Sequence, residues 1–381
     1  MTFTKYEDGC AYLHVVAAAV VDARGRVLIA ERPKHKSHGG LWEFPGGKRE
    51  AGESSLAALR REFREEIGID LTRGRPLIRV PFHYPGRSLI LDVWRVDGFA
   101  GVAEPREGQR LAWVAPERLV DFEFPEANRP VVRALNLPQM LLTAHIKPDE
   151  AESTFESLGH AIRAGVRCVQ LAPTNDGASA ETRHGRTRLL SASGYRRLRE
   201  VCRDTGARLM VSGSVGDALA LGADGVHFEA VPLRHLESAQ IPSGLLASAS
   251  CDSPMGLAHA ARHGLDYAVL GSSLGRHAFA VEGWHRVRQW VRRAGLPVFA
   301  HGALDAVQLR RAVDCGCQGL AVSDGMRRPG IPDTSVPAHR VEGGMSQRSD
   351  STEWSGSGTA PWLNIAPDHA HLEAALRRPL A

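Results

Sequence analysis

The run Gly47-Lys-Arg-Glu-Ala-Gly-Glu53 leads on to Arg61-Glu62-Phe63-Arg64-Glu65-Glu66-Ile67-Gly68-Ile69, and this stretch decides the fold of the first third of the chain. It reads as a loop feeding a helix. Glu53, Ser54 and Ser55 supply capping chemistry at its start, and Gly68 is a C-terminal stop. Leu56, Leu59, Phe63 and Ile67 recur at helical spacing and predict a stripe facing the core. On the remaining side Glu62 stands three residues before Glu65 and four before Glu66. Three carboxylates therefore project from one face, where like charges repel unless a cation lies among them. Hard oxygen ligands of this kind suit Mg²⁺ or Mn²⁺, with substrate phosphates and water completing the shell. A solvated acidic helix is the plain alternative. It leaves the offsets of Gly46, Gly47, Glu53, Arg61 and Gly68 unexplained.

On the N-terminal side, residues 13–21 are almost continuously apolar. A turn at 22–25 and a second apolar run at 27–30 follow, which predicts a hairpin buried on both faces. Residues 34–40 form a basic loop that either meets a phosphate-bearing substrate or is a solvated connection. Residues 41–45 predict a short strand ending at Gly46-Gly47, where a bare backbone can approach a metal or phosphate with its carbonyls free. On the C-terminal side, residues 77–84 and 89–96 read as strands around the turn sequence Pro85-Gly86-Arg87-Ser88. A polar loop at 104–109 precedes a strand at 111–114. A last helix runs through Leu135, with Asn128 placed to cap it and Pro130 tolerated in its first turn. Residues 136–139 mark a boundary.

Bulk composition narrows the class. At 381 residues the chain is too long for one typical core. The 47 basic and 43 acidic residues are interleaved, so the net charge of +4 requires no nucleic-acid partner. The six cysteines include no Cys-x-x-Cys pair and suit reduced thiols in a cytosol. Cys315 and Cys317, the one close pair, read as small buried thiols near a helix end, with a metal or redox role as the alternative. No apolar run is long enough to span a bilayer, so a cytoplasmic location is expected.

From about residue 140 the rhythm changes. Strand candidates at 141–146, 168–171, 208–211, 225–228, 245–250, 267–270, 298–301 and 319–322 alternate with amphipathic stretches such as 151–164, 195–204, 254–263, 284–294 and 305–314. Eight such units read as a (β/α)₈ barrel. From Arg327 on, Pro, Gly, Ser and charged residues predict disorder, with a short helix possible at 368–378. The expected division is 1–137, 138–326 and 327–381.

The opening stretch matches the Nudix box, Gly-x5-Glu-x7-Arg-Glu-U-x-Glu-Glu-x-Gly-U with U apolar, at every fixed position. Chance would produce that about once in 10⁸ start points. Glu-Phe-Pro-Gly-Gly-Lys at 43–48, Glu-Gly-Gln at 107–109 and Phe-Pro-Glu-Ala-Asn-Arg-Pro-Val at 124–131 make residues 13–135 resemble the MutT-type Nudix hydrolases, an α/β/α sandwich. That resemblance implies conversion of oxidised guanine nucleoside triphosphates, 8-oxo-dGTP above all, to monophosphate and pyrophosphate. By the same resemblance Glu62, Glu65, Glu66, Glu107 and a backbone carbonyl of the Gly46-Gly47 turn hold the metals. Asn128 reads the base, Arg32 and Arg87 contact the nucleotide, and Phe44 lies against it. Glu62 is the expected general base, with Glu53 held behind it by Arg61, and the carboxylates of Glu62 and Glu66 are expected to face solvent and metal. For Asn128 helix capping stays open, and for Glu107 an exposed loop carboxylate does.

Gly222-Ala-Asp-Gly-Val-His227, Val169-Gln-Leu171 and Leu296-Pro-Val298 followed by Gly302 make the second half similar to thiamine-phosphate synthase, a TenI-like barrel. Synthases of that family hold Mg²⁺-pyrophosphate with carboxylates after the third and fourth strands. Here those strands end in Ser212-Gly213 and in Glu229-Ala-Val-Pro232. The second ends at 172–174 and the sixth at 272–276. The barrel is therefore expected not to be a working synthase, although Gly271, Gly302, Ser323 and Gly325 leave room for a phosphate ligand. Two other readings stay open: hydrolysis of thiamine-pathway pyrophosphates, with or without synthase activity, and nucleotide sensing without turnover. The oligomeric state is not legible.

Overall fold

A computed structural model describes residues 3–5, 11–34, 38–147, 150–173, 193–229, 241–271, 281–302 and 306–323. The expected disordered tail with its short helix, the strand end at 272–276, Thr174, residues 230–232, Gly325 and part of the basic loop lie outside them.

The first part is built on strands β1 (Phe3–Lys5), β2 (Ala11–Val20), β3 (Val27–Glu31), β4 (Trp42–Glu43), β5 (Gly46–Lys48), β6 (Asp70–Tyr84), β7 (Arg87–Ala100) and β8 (Arg110–Val114). One sheet runs β1-β2-β7-β6 with β5 also paired to β2, and a second runs β4-β3-β8. The strand β2 explains the apolar run. Val16, Ala18 and Val20 pack with Leu59, Phe63 and Ile67 on one face, whereas Ala17 and Ala19 pack with Val131 and Leu135 on the other. With side chains alternating and both faces covered, every position of such a strand is apolar. The helices α1 (Ser55–Glu62) and α2 (Arg129–Asn136) are those two covers.

The expected hairpin of residues 13–30 does not form. The strand β2 pairs with β7 in parallel and with β1 and β5 antiparallel, so both its edges are taken. A single bridge, Val21 to Val27, links it to β3. The turn at 22–25 carries the chain from one sheet to the other. Nor are Gly46 and Gly47 in a turn, since both lie in β5 opposite Ala17 and Val16. The hairpin β6–β7 does form around residues 85–86, but its strands are longer than the apolar runs and are bulged near Leu71, Arg73 and Pro76.

The second part is a closed barrel of eight parallel strands: Met140–Ile146, Cys168–Pro173, Arg208–Ser212, Gly225–Phe228, Leu246–Cys251, Tyr267–Leu270, Val298–His301 and Gly319–Ser323, the last pairing with the first. Each lies within two residues of its expected range. Leu141, Cys168, Met210, Tyr267, Val269, Phe299 and Ala321 fill the interior, so the barrel is a packed core and not a pore. Cys317 is buried and Cys315 half-buried just after the helix Ala306–Asp314, and both are free thiols. None of the described helices is long and apolar enough to cross a membrane.

The two parts meet at the N-terminal ends of the barrel strands. Gln318 Nε2 donates to the carbonyls of Ala134 and Leu137 at 3.0 Å and of Pro138 at 3.3 Å. Arg133 pairs with Asp266 at 3.1 Å and donates to the Leu265 carbonyl at 3.2 Å. The helix Val281–Ala294 packs against β6.

Candidate active site

The helix α1 starts as expected, with the Ser54 hydroxyl accepting from Ala57 N at 3.1 Å. It does not continue as an α-helix to Gly68. Residues Phe63–Ile67 form a π-turn, closed by Gly68 at φ 78°. Widening the last turn breaks the expected single face of carboxylates. Glu62 and Glu66 line a cavity of about 490 Å³. Glu65 does not, and its side chain is 61 % exposed. Glu62, expected to face solvent, has a side chain only 12 % exposed.

The polar loop before β8 takes up the backbone groups of the π-turn. Glu104 N donates to Ile67 O at 2.9 Å and Arg106 N to Glu66 O at 3.0 Å. Arg106 Nη1 reaches Arg64 O at 2.7 Å. The buried amide of Gln109 donates to Glu66 O at 3.0 Å and accepts from Glu107 N at 2.8 Å. Gln109 thereby fixes Glu107 beside Glu66, and both carboxylates line the same cavity. Arg106 is a positioning residue that the sequence did not single out, and Gln109 is one that the sequence offered only as part of the Glu-Gly-Gln run, with no role. The signal for them was their place beside Glu107 in a loop too polar to be core.

Behind the cavity Arg61 gathers the remaining charges. It donates through Nε and Nη2 to Glu53 at 3.1 Å each, through Nη1 to Glu62 at 2.9 Å and Glu65 at 3.4 Å, and to the Lys48 carbonyl at 3.1 Å. The Arg61 guanidinium holds the Glu53 carboxyl below the usual carboxylate range. Burial pushes the Glu62 carboxyl above that range, and Arg61 offsets only part of the rise. A carboxylate kept from water with an elevated proton affinity suits a general base. The glycines of β5 make room for this arrangement. A Cβ at Gly46, whose φ is 150°, would meet the backbone of Val16, and one at Gly47 would meet the Glu62 carboxylate.

The cavity also has aromatic lining residues, Phe44 and Tyr84. Phe44 is buried and stacks on Phe124 with ring centroids 5.3 Å apart. Asn128 is buried at the start of α2, and its side chain makes no capping hydrogen bond, so the capping role open in the sequence is not the one it plays. Arg87 lies over the Tyr84 ring at 5.5 Å and His38 is 5.2 Å from the same ring. Arg32 forms an ion pair with Glu43. All of these except Phe124 line the cavity. The structure thus brings Arg32, Phe44, Gly46, Gly47, Glu62, Glu66, Arg87, Glu107 and Asn128 to one cavity and leaves Glu53, Arg61 and Glu65 outside its lining.

As they stand, no three acidic, histidine or cysteine side chains among the described residues are grouped to enclose a metal ion. The donor chemistry nonetheless fits a hard divalent cation: Glu62 at the end of α1, Glu66 in the π-turn, Glu107 in the adjoining loop and the backbone of β5 all line one cavity. The burial that raises the Glu62 carboxyl is a cost that such a cation relieves.

Residues 16–134 match the family model described as the NUDIX domain. The CTP pyrophosphohydrolase of Escherichia coli is 39 % identical over 119 residues, which are 31 % of this chain and 88 % of that protein. The chain belongs to the Nudix hydrolase family. Other relatives of this Nudix hydrolase include the 8-oxo-dGTP diphosphatase of Proteus vulgaris, 40 % identical over 25 % of this chain and 86 % of the relative. That of Haemophilus influenzae is 32 % identical over 32 % of this chain and 90 % of the relative. Residues 140–326 match the model described as thiamine monophosphate synthase, so the hydrolase carries a barrel similar to that enzyme.

Proposed function

We propose that this Nudix hydrolase cleaves nucleoside triphosphates between the α and β phosphates, releasing monophosphate and pyrophosphate, with 8-oxo-dGTP as its preferred substrate. The observation that carries the reading is a single cavity lined both by Glu62, Glu66 and Glu107 and by Phe44 and a buried Asn128 whose side chain makes no capping hydrogen bond. A triphosphate must be neutralised where it is cut, and a base must be gripped where it is read. An aromatic wall supplies stacking, and an amide side chain offers both a donor and an acceptor to a base edge. Glu62, Glu66, Glu107 and the β5 backbone would hold Mg²⁺ or Mn²⁺, which when bound screens the phosphates and acidifies the attacking water. Glu62 takes the proton from that water, and Arg61 stabilises the carboxylate beforehand and fixes its direction. Arg32 and Arg87 meet the phosphates or the sugar. A nucleotide sensor has no use for a desolvated base of this kind.

The relative acting on CTP supports a second reading, a pyrimidine preference, because it is 39 % identical over the same region. Hydrolysis of 8-oxo-dGTP, dGTP, CTP, a nucleoside diphosphate sugar and the pyrimidine pyrophosphate of thiamine synthesis, each with Mg²⁺ and followed by chromatography of the monophosphate product, separates the readings. We expect 8-oxo-dGTP to give the highest kcat/KM. Equal values for 8-oxo-dGTP and dGTP would remove the base-reading role from Asn128, and a preference for CTP would replace the substrate.

The division at 137/138 and the loss of synthase activity belong to the same proposal. The third barrel strand ends in Ser212, followed by Gly213, and the buried polar residues of the barrel strands include Gln170, His227 and Ser248. His227 accepts or donates to Ser248 and Ser250 at 2.9 Å each, and burial holds its imidazole neutral with a pKa of about 3. Such a neutral interior gives a Mg²⁺-pyrophosphate little to bind. The full chain carrying Glu62→Gln is expected to form no thiamine phosphate from its two precursors.

A further inference from the structure

A second cavity, of about 680 Å³, lies between the edge strand β6, the start of α2 and the C-terminal ends of the barrel helices Pro254–Arg262 and Val281–Ala294. It shares no lining residue with the active-site cavity. Three guanidiniums reach it from three elements: Arg129 at the start of α2, Arg262 in the last turn of the first barrel helix and Arg292 in the last turn of the second. All three residues are exposed, and no side chain among them forms an ion pair or hydrogen bond with a described residue. The charge of Arg292 is felt at His14, where it adds to the lowering that burial, Arg79 and Arg49 produce. The other two arginines of the lining, Arg133 and Arg293, are already engaged, the first with Asp266 at 3.1 Å. One acid, Glu126, lines the cavity, and it pairs with no described residue.

Helix dipoles favour a cation in a last turn, which accounts for Arg262 and Arg292 taken singly. They do not account for Arg129, which opens its helix, where a cation is disfavoured, nor for all three meeting at one cavity. Between the guanidiniums the walls are apolar, with Pro81 and Phe82 of β6, Pro130 of α2 and Ala261 and Ala294 of the barrel helices. The complement of such walls is a chain of negative groups on a flat apolar body. Guanidiniums grip phosphate oxygens in a forked geometry, and three of them on separate elements suit several phosphates better than one. Ring faces pack well against an aromatic side chain such as Phe82. The volume is that of a small-molecule site. A lone carboxylate, Glu126, is no set of ligands for a metal, so a phosphate chain here is held and not cut.

We propose that this cavity is a second nucleotide site, binding a nucleoside polyphosphate with its phosphates among Arg129, Arg262 and Arg292 and its base against Phe82 and Pro81. Such a site stands whatever the other cavity hydrolyses. It shares walls with the active site at two points. The Phe82 ring lies 4.7 Å from that of Tyr84, which lines the active-site cavity. The short 3-10 turn Glu126–Asn128 gives Glu126 to one cavity and Ala127 and Asn128 to the other.

The test is equilibrium dialysis of the full chain against ATP, in buffer with chelator and no divalent metal, with tripolyphosphate and adenosine as partial ligands. We expect saturable binding of ATP, binding of tripolyphosphate weaker by roughly fivefold or more, and none of adenosine. Arg129→Gln, Arg262→Gln and Arg292→Gln should each lower the affinity for ATP by roughly fivefold or more. Because these side chains are exposed, the variants should keep the circular dichroism of the wild type. Arg32→Gln, in the active-site cavity, should leave the affinity unchanged. Absence of saturable ATP binding, equal affinity for ATP and tripolyphosphate, or an affinity unmoved by Arg262→Gln and Arg292→Gln would overturn the proposal. In the last case a loss in Arg32→Gln would place the nucleotide in the hydrolase cavity instead.

Discussion

Arg61 is the residue on which the site turns, because it holds Glu53, Glu62 and Glu65 and the Lys48 carbonyl together. Replacing it with Gln removes the interaction that offsets burial at Glu62, so the Glu62 carboxyl rises further from its ordinary value. The base must be ionised to act, and activity falls as the pH drops through its pKa. The acidic limb of the kcat/KM profile in Arg61→Gln is therefore expected at higher pH than in the wild type, and an unmoved limb would reject Glu62 as the base. Glu62→Gln should lower kcat by roughly 10²–10⁴. Its melting temperature should not fall, since the buried side chain no longer has to carry a charge. Most of these residues were legible from fixed offsets along the chain. The exposure of Glu65 and the burial of Glu62 were not, because an assumed α-helix spreads carboxylates evenly whereas the real turn does not.

The π-turn Phe63–Ile67 is the element that reshapes the site. One extra residue in a turn frees carbonyls, and here the Glu104–Gln109 segment accepts that opening with hydrogen bonds to Ile67 O, Glu66 O and Arg64 O. Deleting the exposed Arg64 should restore an α-helical turn while Phe63 and Ile67 stay in the core. Turnover is then expected to fall by at least tenfold with little loss of melting temperature, as followed by pyrophosphate release and circular dichroism; full turnover would show that the wide turn has no part in catalysis. Strands in the barrel were legible because each is a short apolar run between helical stretches and its neighbours in space are its neighbours in sequence. The misassigned hairpin of residues 13–30 has the opposite cause. The partner of β2 is β7, more than seventy residues away, and no local pattern names it.

At the scale of the whole molecule, two buried histidines tie stability to pH. Burial lowers the pKa of His14 to about 4 and that of His227 to about 3, against 6.5 for an exposed imidazole. A group whose folded pKa is lowered binds its proton more readily in the unfolded chain, so stability is complete above pH 6.5 and is lost as the pH falls toward 4. Each contributes a slope of up to roughly 1.4 kcal/mol per pH unit in that window. His227→Gln should flatten the slope in urea titrations, and an unchanged slope would show that the imidazole is charged in the fold. Gln318→Leu leaves three carbonyls at the junction without their donor, a cost of about 1–3 kcal/mol. Calorimetry is expected to resolve two transitions in that variant where the wild-type chain shows one. Docking on the barrel floor has one more consequence. The C-terminal ends of the barrel strands, where any chemistry of the barrel would sit, open on the side away from the hydrolase. What joining the halves secures is equal supply: every copy of the hydrolase is made with one barrel, whatever the rate of synthesis.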